Sequence, residues 1–162
     1  MVQRLALIGF AAAMLATDVS LFQTALPIRF ETVVSADCSP QCTDFVYGAT
    51  KINFSKCWNR KQYGDAGQWI SYAQRCGFAV SAMPTNNSIF EIPSPNHVGI
   101  VTSSAYDART RTYNLLVFDS NWAKGQCRER RVQATYNPTA RMITFADGRS
   151  SYPVNGFITR WY

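Results

Sequence analysis

At 162 residues and 47% hydrophobic content, the chain can bury one ordinary core and has no room for two substantial domains. Charged residues at 16% and aromatics at 14% argue against disorder and for a compact, aromatic-rich fold. The formal charge of +6 favours anionic partners, yet the richest basic run, Arg128-Glu129-Arg130-Arg131, reads equally as a solvated strand face, and with no recognisable nucleic-acid motif such a partner is not expected.

Arg4 followed by the apolar run Leu5 to Ala16 has the charge and length of a secretory signal and is too short for a membrane span of about 20 residues. Ala11-Ala12-Ala13 and Val34-Ser35-Ala36 both fit a cleavage site, and apolar character resumes after Asp18 through Leu26, so an uncleaved N-terminal anchor stays open. Residues 1–36 are therefore expected to be a signal peptide or leader and 37–162 the folded domain, secreted or periplasmic. In an exported chain the five cysteines, Cys38, Cys42, Cys57, Cys76 and Cys127, leave one thiol free when four pair. The pairing expected is Cys57 with Cys76, which would tie both ends of the second helical region, and Cys38 with Cys127. With one histidine and no paired C-x-x-C spacing, no metal or other cofactor is expected.

The first helix is predicted from Cys42 to Ile52. A second follows Asp65 as N-cap, with Ala66, Trp69, Ile70, Ala73 and Cys76 on one apolar face and Gly77 as its stop. From Ser88 the period changes. Ile89 to Ile92, His97 to Ser103, Arg111 to Phe118, Gln126 to Ala134, Met142 to Phe145 and Gly156 to Trp161 read as strands separated by turn signals. Helices first and strands afterwards predict an α+β domain, its N-terminal helices packed on a mainly antiparallel sheet of about six strands.

Chemistry gathers at four places. Cys42 opens the first helix, where unpaired N–H groups and the positive dipole end favour a thiolate nucleophile; the competing readings are half of a disulfide or a small core residue. His97, the one histidine, starts a strand beside a turn. Asp119 and Asn121 end the next apolar strand, and alternation would place both on one face, where either could accept a ring N–H and orient the histidine. Trp58 and Trp122 could line a substrate groove, or pack in the core.

Gln41-Cys42-Thr43, Asn96-His97-Val98-Gly99-Ile100-Val101, Asp119-Ser120-Asn121-Trp122 and Val154-Asn155-Gly156-Phe157-Ile158, in that order, resemble the successive blocks of a CHAP domain, a cysteine, histidine-dependent amidohydrolase/peptidase of the papain-like, NlpC-P60 superfamily. The resemblance implies a papain-like α+β fold over residues 37–162, with Cys42 as nucleophile, His97 as base, and Asn121 or Asp119 as its partner. Asn121 is favoured, because a glutamate commonly stands where the shorter Asp119 does. Gln41 and the Cys42 backbone N–H would form the oxyanion site. It further implies a monomeric enzyme cleaving amide bonds in peptidoglycan, either N-acetylmuramoyl-L-alanine bonds or peptide crosslinks, with anionic cell-wall polymers as further partners. The alternative is a secreted wall-binding module that keeps the fold without turnover.

Overall fold

The computed structural model describes residues 41–55, 57, 64–122, 128–146 and 150–162. The leader, Cys38, Trp58 and Cys127 lie outside the described residues. Helix α1 (Cys42–Thr50) starts where the Asp44 carboxylate accepts the Gln41 backbone N–H at 3.3 Å, closing the first turn onto the N-cap. It stops two residues earlier than its apolar pattern predicts, because Lys51 turns left-handed (φ +57°) and returns its N–H to the Tyr47 carbonyl. Phe45 and Val46 are buried, and Phe45 meets Phe118 edge to face at 4.7 Å.

Asp65 caps a single 3₁₀ turn, Ala66–Gln68, by accepting the Gly67 N–H at 3.3 Å, and the turn runs into helix α2 (Trp69–Arg75). Gly77 then takes φ +72°, the left-handed stop expected of it. Cys57 and Cys76 form a disulfide, with Cα atoms 5.3 Å apart. Among the described residues no helix is long and apolar enough to cross a membrane.

The strands are β1 (Ala79–Ser81), β2 (Ser88–Ile92), β3 (His97–Asp107), β4 (Thr112–Ser120), β5 (Glu129–Asn137), β6 (Met142–Phe145), β7 (Ser151–Pro153) and β8 (Gly156–Arg160). They form one sheet in the order β1-β8-β2-β3-β4-β5-β6-β7, antiparallel throughout. The expected α+β class holds, but the sheet has eight strands instead of about six. The two additions are three-residue strands at its edges, too short to show alternation; one carries Pro153, a residue that edge strands tolerate. The helices also divide the sheet between them: α1 lies against β3 and β4, and α2 against β1 and β8.

Tyr136 of β5 and Phe157 of β8 have ring centroids 5.0 Å apart although β2, β3 and β4 lie between their strands. In a flat sheet four strand spacings would separate them by roughly 19 Å. The sheet must therefore curl, and its inner face buries Phe90, Ile92, Val101, Val117, Tyr136 and Phe157 in one cluster. On the other face Ile89, Val98, Ile100 and Ile158 are buried on the strands against which the helices lie. Trp161 closes over α1, its indole N–H donating to the Thr50 carbonyl at 3.0 Å.

Candidate active site

Cys42 occupies the first turn of α1, is 8% exposed, and is the free cysteine among the described residues. His97 is the first residue of β3, reached through Asn96 at φ +56°, a conformation asparagine accepts at low cost; the Asn96 amide donates to Asp65 Oδ1 at 2.6 Å. The Cys42 thiol lies close enough to the His97 ring to act on its ionisation. His97 Nε2 lies 3.1 Å from Asp119 Oδ2, which leaves Nδ1 for the sulfur. Burial pulls the imidazole pKa down, but the bonds to Asp119 and Cys42 and their charges outweigh it, so the net shift is upward from 6.5.

The direct partner of His97 is thus Asp119, and the expectation favouring Asn121 is corrected. Alternation fails at that point because β4 ends at Ser120 and Asn121 turns left-handed, φ +55°, out of the strand. Its amide donates instead to Gln41 Oε1 at 2.9 Å, and its Oδ1 has no hydrogen-bond partner among the described residues. Asp119 itself is carried on the strand and is fully buried.

Gly99 makes the short reach of Asp119 workable. A Cβ at position 99 would come within 2.6 Å of the Phe90 ring and 2.9 Å of Asp119 Cβ, so only glycine lets the carboxylate's backbone settle this close. Trp122 is half-buried, with its ring 4.8 Å from His97, 4.5 Å from Phe145 and 5.1 Å from Tyr152.

One further residue joins the cluster. Arg130 stands opposite Asp119 in the β4–β5 register and grips it with both arms, Nε to Oδ1 at 2.7 Å and a terminal nitrogen to Oδ2 at 3.0 Å. Burial pushes the Asp119 pKa up, yet the bonds from His97 and Arg130 prevail and hold it below 3.8. In the sequence Arg130 is visible only as part of the basic run; its role depends on a strand register that local pattern does not carry. Among the described residues no group of three or more His, Cys, Asp or Glu side chains comes together to hold a metal.

A family model for the CHAP domain matches residues 34–121, more than half of the chain. The chain belongs to the CHAP domain family. No curated protein and no solved structure matches it. CHAP domains are generally peptidoglycan hydrolases, and the match spans Gln41, Cys42, His97, Asp119 and Asn121 while stopping short of β5 and Arg130.

Proposed function

We propose that this protein is an exported cysteine hydrolase that cleaves an amide bond in peptidoglycan, as an N-acetylmuramoyl-L-alanine amidase or a peptide-crosslink endopeptidase. The observation that carries the reading is the line of contacts from the Cys42 thiol at a helix N-terminus, through the His97 ring, to the buried Asp119 carboxylate 3.1 Å beyond. The Cys42 thiolate, paired with protonated His97, attacks the carbonyl carbon and forms a C–S bond. Negative charge then collects on the carbonyl oxygen. The Cys42 backbone N–H, in the first turn and without an intrahelical acceptor, can stabilise that charge. Gln41 can assist, because Asn121 engages its amide oxygen and leaves its amide nitrogen as the donor.

His97 gives its proton to the leaving amine as the C–N bond breaks, then takes one from water as the water attacks the thioester. The C–S bond then breaks, the carboxylic acid departs and the thiolate–imidazolium pair is restored. The chain's net charge of +6 suits an anionic wall, and Arg4 with the run Leu5 to Ala16 supports export.

A zymogram with purified cell walls tests the proposal. The wild type is expected to clear the walls, while Cys42→Ala and His97→Ala, each with native far-UV circular dichroism, are expected to leave them intact. Wall binding without clearing by the wild type would favour the non-catalytic module instead.

A further inference from the structure

Resting on the reading of Cys42 and His97 as the reacting pair, we infer that Arg130 is a positioning residue that keeps the Asp119 carboxylate aimed and ionised, so that His97 and not Asp119 carries the proton through the reaction. The geometry is that of a shared atom: Asp119 Oδ2 faces His97 Nε2 at 3.1 Å and an Arg130 nitrogen at 3.0 Å, while Oδ1 is taken by Arg130 Nε at 2.7 Å. A fork of this kind fixes both the position and the plane of the carboxylate. The guanidinium is itself clamped, 4.2 Å from the Trp122 ring centroid and 4.9 Å from that of Phe145, and Trp122 meets His97 edge-on.

The chemistry explains why a second cation is needed. Asp119 is fully buried, and a buried carboxylate is tolerable only while paired. When His97 is an imidazolium it supplies that pairing. From the moment His97 releases its proton to the leaving amine until it takes one from water, Asp119 would be left as an isolated buried charge. Arg130 cannot be deprotonated, so it keeps the carboxylate paired through that half of the cycle. Without it the His97–Asp119 dyad would hold its last proton more tightly, whichever of the two bore it.

Among the described residues, the charged and titratable groups on this ring are Cys42 from α1, Asp119 from β4 and Arg130 from β5 through Asp119. From β2 the residue opposite His97 is the apolar Ile92, and Glu91 pairs with Val98, whose side chain lies on the other face.

The chain holds one histidine, so the His97 ring titrates as a single signal by NMR, with no substrate present. Arg130→Gln is expected to raise that titration by about one unit or more, a tenfold gain in proton affinity, and to carry the pH dependence of Cys42 alkylation with it. Arg130→Lys keeps the charge and is expected to titrate near the wild type while alkylating more slowly at the optimum, because the fork is lost. Added guanidinium is expected to return Arg130→Gln toward the wild-type titration. An unchanged or lowered titration in a folded Arg130→Gln protein would overturn the inference. Both readouts are independent of cell walls, so a wild type that clears none while the titration moves as described would remove the proposed hydrolysis and leave the role of Arg130 standing.

Discussion

Asp119 and Asn121 stand two residues apart, and a single backbone angle decides between them. Had β4 continued, both side chains would have shared a face; the left-handed turn at Asn121 sends one to His97 and the other to Gln41. Their substitutions should separate accordingly. Asp119→Asn removes the negative charge beside the imidazole and leaves the Arg130 cation there, so the His97 titration is expected to fall by more than about one unit. Asn121→Ala is expected to leave that titration in place and to lower turnover by freeing Gln41, which NMR titration beside a wall-clearing rate would show. Cys42 and His97 were legible in the sequence because each announces itself locally, one at a helix start and the other at a strand start beside a turn. Which acceptor holds the ring was not, because alternation assumes an unbroken strand. Arg130 was legible only as a charge.

Among the elements, α2 depends on a strand distant in sequence. Its Ile70 N–H donates to the buried Glu91 carboxylate of β2 at 2.5 Å, and Asn155, just before β8, donates its amide to the same carboxylate at 2.5 Å. Glu91 thus ties a helix, a central strand and the turn before β8 at one point. Burial raises its pKa above 4.5 in spite of those bonds. Glu91→Ala would leave the buried Ile70 N–H unsatisfied, while the exposed Asn155 amide can turn to water, and a loss of about 1–3 kcal/mol in urea unfolding is expected, with Cys42 and His97 otherwise undisturbed. The longer strands were readable from alternation, and Met142–Phe145 was found to the residue. β5 was not, for it runs three residues later than its β-branched and aromatic content suggests, Glu129–Asn137 instead of Gln126–Ala134. Arg130 lies within both ranges, and what puts it opposite Asp119 is the register of β5 on β4, which is settled by tertiary contact.

For the molecule as a whole, the same dyad links folding to pH. The raised pKa of His97 stabilises the fold fully below 6.5, and the contribution fades as pH climbs through the folded value. The lowered pKa of Asp119 acts in the opposite sense: its contribution is present above 3.8 and fades as pH falls through the folded value. The two overlap in mildly acid solution. Urea unfolding is therefore expected to show higher stability at pH 5.5 than at pH 9, with the difference diminished in His97→Ala.

The bond from Trp161 to the Thr50 carbonyl spans 111 residues, and that from Asn121 to Gln41 spans 80. Synthesis meets these pairs one member at a time. Cys42 is made long before the strand that brings His97, later still comes β5 with Arg130, and the indole that holds down the far end of its helix is added after all of them. Contacts this distant cannot form until the intervening chain exists. A nascent chain accordingly carries a cysteine with neither base nor latch, and the thiol meets the His97 ring only after the chain between them has been made.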